Sequence, residues 1–542
     1  MPPNPYQDTK LGIHIPRMPG MVDKPSRIER TFGTKKALVI LVDFSDNGYS
    51  YAKSNFDSLI YGTNAKSMRN YYREASYGKL LIDQASLVTD WQRATNTYSY
   101  YVGDSFGIYG NYPRNSQGLL YEACRLIDPF VNFAQFDENS DGIVDNVFIV
   151  HAGPGAEETG DPRHIWSHKW QLSDNSMGCP GPYQTQDNVR VDHYSTEPEK
   201  FEDPSSLITI GVFVHEFGHQ IGLPDLYDID YSSNGMGVFC LMAAGSWARA
   251  TTSDPPGSSP VHPCAWAKYQ LGWSTPVALE RRGLKEIKNA PLPAAATDST
   301  CYRMLEDPNG PDWKENGQGS GEYFLVENRY RAGFDRGLPG NGLLILHIDD
   351  SKRDNQDDDH PIVGIMQADG HPSPTLSRYD RGSEADLWKN SSYGFGDTSR
   401  PSSYDYIGNP TGVWAYNISA AESLMHADLW VTPVLLGRVY SFPNPYVKAK
   451  AVNKLIITYV PSDSGEFINT YPEFKVTVFN IAGEKIRTLD VQGSEVDRFT
   501  RRAFWDLKND GNQDVTSGMY FYLIESFGEK VERNKGRLTI IR

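Results

Sequence analysis

Cysteine is scarce in this chain of 542 residues: Cys124, Cys179, Cys240, Cys264 and Cys301 are all there are, and none stands in CxxC spacing. That excludes a cysteine-held zinc and a disulfide-dense scaffold. At most two bridges are possible; Cys240 with Cys264 is one candidate pair, and five buried free thiols are the alternative. No run of about 18 apolar residues occurs, so no membrane-spanning helix is expected. Positive charge is also short, with 52 Lys and Arg against 68 Asp and Glu and a net charge of −16. A phosphate backbone would repel such a chain, which argues against nucleic acid as a partner. It suits an extracellular protein whose carboxylates partly serve calcium. The opening MPPNPYQDTKLGIHIPRMPGMV has no basic and then apolar leader. The expectation is an exported protein whose leader was removed before residue 1.

What is present is concentrated in residues 211–228, GVFVHEFGHQIGLPDLYD. His215, Glu216, His219, Gly222 and Asp225 make HExxHxxGxxD. Two histidines four apart share one helix face and can grip one metal ion. Gly222 lets the chain leave the helix in a conformation costly for other residues, and Asp225 arrives as a third ligand. Glu216 sits where it can take a proton from water held by that metal. The preceding LITIGVFV is apolar, and a buried helix rarely carries His, Glu and His unless something pairs with them. Three protein ligands fit a catalytic zinc, whereas a structural zinc is closed by four. No glutamate lies between Glu216 and Glu280, so a ligand from a second helix, as in thermolysin-like sites, is not expected.

The motif resembles the metzincin pattern HExxHxxGxxH with Asp in place of the third histidine. Met242, in VFCLMAAGSW, stands where metzincins place the methionine turn beneath the metal. More widely, residues 34–435 are similar to the M6 metallopeptidases, the immune inhibitor A group. The resemblance is carried by ALVILVDFSD at 37–46, MRNYYREASYGKL at 68–80 and DGIVDNVFIVHAGPGAEETG at 141–160. IWSHKW at 165–170, AWAKYQLGW at 265–273, EYFLVENRYRAGFDRGLPGNGLLILHIDD at 322–350 and MQADG at 366–370 continue it. It implies a secreted, zinc-dependent endopeptidase that often needs calcium, with His215, His219 and Asp225 on zinc and Glu216 as general base and acid. Protein or peptide substrates are implied, and a monomer is expected. Astacin-type metzincins place a tyrosine soon after the methionine turn, but Ala243 and Ala244 follow here. Tyr227, His262 and His168 are the candidate oxyanion donors, each more readily read as structural.

A second ion site is expected in FDENSDGIVDN. Asp137, Asn139 and Asp141 offer side-chain oxygens at alternate positions, Gly142 supplies a sharp turn, Ile143 a carbonyl and Asp145 a further carboxylate. Position twelve of an EF-hand is Phe148 instead of Glu, so the expectation is a shorter calcium loop without flanking EF helices. A solvated acidic turn is the competing reading.

Hydrophobic content of 39% and aromatic content of 12% suffice for packed cores, and the length suggests three or four domains. Residues 1–33 read as a Pro-rich arm or propeptide remnant, whose Asp8, Asp23 and Glu29 are conceivable zinc contacts. Residues 34–275 alternate strands (ALVILVDF, LLIDQASLV, NVFIVHA) with helices near 65–75, 115–128 and 205–221. This is an α/β (α+β) catalytic unit, a zincin by resemblance. Residues 276–435 are a β-rich region expected to pack on it, with a long polar loop at 385–412. Residues 436–542 carry short strands at regular spacing and read as an immunoglobulin-like β-sandwich. PNP, FNIAGEKIRTL, WDLKNDG and SGMYFYL resemble the FlgD-like domain and the related type IX secretion sorting domain, implying export or surface attachment. Asp506, Asn509, Asp510 and Asp514 read as a hairpin turn. The competing function is a catalytically idle surface adhesion or carbohydrate-binding protein, motivated by the sandwich and by 32 Tyr and 11 Trp. An intact Glu216 argues against it.

Overall fold

A computed structural model describes residues 1–4, 28, 30–63, 66–83, 86–281, 283–432, 438–447, 454–460, 474–490, 496–497, 502–526 and 533–542. Asp8, Asp23 and Glu29 lie outside the described residues.

The strand Leu38–Asp43 is buried along its whole length because both faces of its sheet are covered. Val39 and Leu41 enter one hydrophobic cluster, while Leu38, Ile40 and Val42 enter another. Val147–His151 repeats this division, with Phe148 and Val150 on one side and Val147 and Ile149 on the other. A strand covered on both faces needs an uninterrupted apolar run, which is how these two read in the sequence. They lie at the centre of a six-stranded sheet ordered Leu87–Val88, Leu38–Asp43, Val147–His151, His193–Pro198 and His168–Gln171, with Gln92–Arg93 also pairing to Leu38–Asp43. The pairings are parallel except for the edge strand His168–Gln171, which is antiparallel to its neighbour. Helices Met68–Ala75 and Ile210–Gln220 contribute to the first cluster, and Ser116–Ile127 to the second.

LLIDQASLV, read as one strand, is two. Leu80–Ile82 pairs with Gly33–Lys35, and Leu87–Val88 joins the central sheet. The cysteine outcome is equally plain: all five are buried and free, with Cys264 N donating to Cys240 Sγ at 3.4 Å.

Beyond residue 276 the chain forms a five-stranded sheet ordered Val277–Leu279, Tyr302–Met304, Glu322–Arg329, Gly342–Asp349 and Val363–Ile365. A three-stranded sheet is ordered Glu286–Pro293, Leu424–Val431 and Val413–Tyr416. Ala290, Leu292, Phe324 and Leu344 from these sheets share one hydrophobic cluster with Val212 and Phe217 of the HExxH helix. At the C-terminal end, a four-stranded and a five-stranded sheet share a separate cluster containing Leu455, Ile457, Trp505, Val476, Val478 and Ile524. The molecule is thus a mixed α/β protein with many sheets and few helices, rich in β-structure.

Candidate metal centre

The helix Ile210–Gln220 is buried over most of its length, and His215 and Glu216 have no solvent exposure. Gly218 faces Met242: a Cβ at that position would stand 2.5 Å from Met242 Sδ, so the methionine sulfur rests on the turn between the two histidines. The helix ends at Gly222, whose φ of +99° is left-handed. That turn lets Leu223 N donate to Gly218 O at 3.0 Å. Leu223 O then accepts from His219 Nδ1 at 2.8 Å. His215 Nδ1 donates to Leu241 O at 3.0 Å, one residue before Met242. The chain returns through Leu226, whose amide donates to Met242 O at 2.7 Å.

These contacts fix where the protons are. A carbonyl only accepts, so each Nδ1 carries hydrogen and each neutral imidazole presents a bare Nε2. His215 Nε2 and His219 Nε2 each lie 3.2 Å from Asp225 Oδ1. His215 Nε2, Asp225 Oδ1 and Glu216 Oε2 are buried without a hydrogen-bond partner. Two imidazole nitrogens and a carboxylate oxygen therefore converge on one point, an arrangement that a cation joining them stabilises. Their spacing is close to the edge of a tetrahedron built on zinc bonds of about 2.0–2.1 Å. The residues fit a metal of that class.

Residues 1–4 run across this centre. The Met1 ammonium lies 3.0 Å from Glu216 Oε1 and donates to Ser167 O at 3.4 Å. Trp166 Nε1 donates to Met1 O at 2.9 Å, Trp247 Nε1 to Pro2 O at 2.8 Å, and Asn4 N to Glu157 O at 2.7 Å. Burial penalises the Glu216 charge, but the Met1 ammonium and the two histidines outweigh it and hold its pKa below the usual carboxylate value. Burial and the same ammonium push His215 down. At His219 burial also disfavours the cation, yet Asp225 wins and its pKa rises. Asp225 itself falls well below the carboxylate range, burial being overcome by His219 and His215.

Of the three expected oxyanion donors, Tyr227 is near, its ring 6.3 Å from that of His215. His168 is engaged at both nitrogens, by Ser116 Oγ at 3.0 Å and Trp166 O at 2.6 Å. His262 is held between Glu74 Oε1 and Lys268 Nζ, each at 3.1 Å. Arg329, which no motif singles out, is fully buried and donates to Phe239 O at 2.9 Å and to Asp335 Oδ1 at 2.8 Å. It ties the 276–435 region to the segment carrying Met242. Its only signal was a charge at the polar end, Glu327–Asn328–Arg329, of a strand that is apolar in the middle.

The loop 137–145 has closed on itself. Asp137 accepts from the amides of Asp141 at 3.1 Å and Gly142 at 3.0 Å. Asn139 Oδ1 accepts from Asp141 N at 3.0 Å, Asp141 from Ile143 N at 2.8 Å, and Asp145 from Glu138 N at 3.0 Å. Among the described residues, the groups of three His, Cys, Asp or Glu side chains with ligand atoms close enough for one ion are His215–His219–Asp225 and Glu322–Asp349–His360. Asp137, Asp141 and Asp145 are not such a group.

Residues 27–274 match the family model described as immune inhibitor A peptidase M6, catalytic domain. Over those residues the chain is similar to the M6 metallopeptidases. Among curated relatives, Immune inhibitor A of Bacillus thuringiensis subsp. alesti is 28% identical over 271 residues, covering 41% of this chain and 38% of its own. Pre-pro-metalloprotease PrtV of Vibrio cholerae serotype O1 is 28% identical over 288 residues, 44% of this chain and 30% of its own. The chain thus spans about a third of the length of these relatives, 38% of one and 30% of the other. Two solved structures align over parts of it. One is dimeric latent PorU from Porphyromonas gingivalis, at 13% identity over 22% of this chain and 11% of that one, TM-score 0.15. The other is PorZ, a surface component of the type-IX secretion system of the same organism, at 16% over 44% and 29%, TM-score 0.17. Likeness at that level carries no argument. Among the described residues no helix is long and apolar enough to cross a membrane.

Proposed function

We propose that this chain is a secreted zinc-dependent endopeptidase acting on protein substrates, with His215, His219 and Asp225 holding the zinc ion and Glu216 as general base and acid. The observation that carries the reading is the convergence of two bare imidazole nitrogens and a carboxylate oxygen beside the buried Glu216 carboxylate. A bound zinc ion supplies Lewis-acid polarisation and makes water more acidic. Leu241 O and Leu223 O hold the imidazoles in the tautomer that offers Nε2. Met242 packs beneath the helix turn and fixes its distance from the chain carrying Asp225, in a metzincin-like arrangement. Glu216 takes a proton from the attacking water and delivers it to the leaving nitrogen; against the cost of burial, the Met1 ammonium and the two histidines hold its pKa down and keep it ionised. Of the three candidate oxyanion donors, Tyr227 is the one whose ring lies beside the site, 6.3 Å from that of His215. The test is Glu216→Gln: zinc content retained and casein cleavage lost. Cleavage near the wild-type rate would overturn the mechanism.

The catalytic unit in this reading is residues 34–275, with 276–435 packed on it. Residues 1–4 lie over Glu216, and in this reading they obstruct the substrate's path. Residues 436–542 serve as an immunoglobulin-like module for export or surface attachment. Calcium at Asp137, Asn139, Asp141, Ile143 and Asp145 remains part of the proposal. It is supported by the order of oxygen side chains and by the left-handed φ of +83° at Gly142. Exposed Tyr379 and Tyr393 favour a secondary binding role for the surface around 379–393. An idle scaffold, however, has no need of a buried, ionised Glu216.

A further inference from the structure

On the far sheet a second set of donor atoms converges. Glu322 opens the strand Glu322–Arg329, and Asp349 closes its antiparallel neighbour Gly342–Asp349. The two are directly opposite in register. Like charges facing each other across a strand pair are unfavourable, so the arrangement asks for a compensating cation. His360, from the loop that follows, brings Nε2 to 2.6 Å from Asp349 Oδ2. One ligand atom from each of Glu322, Asp349 and His360 lies within 4.8 Å of the others.

The surroundings hold these donors in place. His347, the next residue on the same face as Asp349, directs Nε2 to Glu322 Oε2 at 3.0 Å, and Tyr406 N donates to the same oxygen at 3.0 Å. The Tyr406 ring is clamped between the two imidazoles, 4.0 Å from His347 and 4.1 Å from His360. Phe324 stacks on the other face of His347 at 4.3 Å. Ser351 N and Oγ both donate to Asp349 Oδ1, leaving Oδ2 turned toward His360. Glu322 and His360 are about one-quarter exposed, at 25% and 28%, so an ion can reach them from solvent.

We propose that Glu322, Asp349 and His360 form a second divalent-metal site, with His347 orienting Glu322. A mixed imidazole and carboxylate set suits a borderline transition metal such as zinc better than calcium or magnesium, which prefer oxygen alone. Binding replaces the His360–Asp349 hydrogen bond by coordination and requires neutral His360. The site clasps the loop 351–362 to the sheet. That loop also grips the segment leaving Asp225, through Asn355 Nδ2 to Leu226 O at 3.1 Å and Ser232 Oγ to Asp358 at 2.6 Å. Metal here therefore braces the chain that carries Asp225.

The test is zinc stoichiometry by equilibrium dialysis of the full chain, read with thermal melting. Wild type is expected to bind two equivalents. His215→Gln with His219→Gln should retain one, and His360→Gln alone should also retain one, with a lower zinc-induced rise in Tm. A single equivalent in wild type, unchanged by His360→Gln but lost in the double variant, overturns this proposal and leaves the catalytic reading intact. Should the double variant fail to fold, His360→Gln and Asp349→Asn still decide, because loss of one equivalent in each supports the site and two unchanged equivalents remove it.

Discussion

The HExxH centre and the loop 137–145 use similar residue types and resolve them in opposite ways. In the loop, carboxylates and Asn139 accept backbone amides from their own turn, so each charge has a partner supplied locally. At the centre, His215 Nε2, Asp225 Oδ1 and Glu216 Oε2 are buried with no hydrogen-bond partner, and backbone carbonyls have taken the imidazole Nδ1 protons. The lesson is that acidic density does not by itself make an ion essential. Stranding of lone pairs away from water does, since a buried unsatisfied acceptor costs about 1–3 kcal/mol. Removing a cation should therefore hurt the centre far more than the loop.

The sharpest way to separate function from scaffold is Glu216→Gln, expected to lower casein hydrolysis by at least about 10²–10⁴-fold with zinc retained, measured by activity and metal content together. His219→Ala should go further at the level of binding: one equivalent of zinc lost, cleavage lost with it, and a smaller fall in Tm on adding chelator. Removing residues 1–4 vacates the space over Glu216 and should raise the initial rate on a protein substrate several-fold; an unchanged rate would show that the arm does not obstruct the cleft. His151 tests whether a stranded nitrogen always signals a cation. Its Nε2 is buried without a partner, and burial, aided by His164 and His168, holds its pKa down to about 3 against the hydrogen bond to Ala152 O. The unfolded chain binds this proton near pH 6.5 and the folded one does not. Stability should thus fall as pH drops from about 6.5 toward 3, by up to about 1.4 kcal/mol per unit. His151→Gln should flatten that slope in urea titrations while leaving zinc content unchanged. The smallest effect is expected at the loop: Asp141→Ala should cost about 1 kcal/mol, the value of a turn-capping contact, and reduce any calcium-induced rise in Tm. A loss comparable to that of His219→Ala would reverse the comparison drawn above.

Much of the centre was legible because its spacing is local. His215, Glu216 and His219 lie within a turn of helix, and Gly222 announces the exit that brings Asp225 back. The buried strands at 38–43 and 147–151 were legible for the same reason, as continuous apolar runs. The split of LLIDQASLV was not, since which neighbour each half pairs with depends on residues 33–35 and 38–39, distant from any pattern within the segment. Cys240 and Cys264 met without bonding, a matter of side-chain placement and not of spacing. Arg329, Trp166 and Trp247 escaped notice because their partners are backbone carbonyls of remote segments.

The sequence by itself determined that His215 and His219 share one helix face beside Glu216, because helical periodicity sets their spacing. Only the tertiary structure decided which carbonyls fix the imidazole tautomers, that residues 1–4 cross the centre, and that Glu322 and Asp349 face each other beside His360. Those depend on contacts between segments tens to hundreds of residues apart, and long-range pairing leaves no periodic trace in the chain.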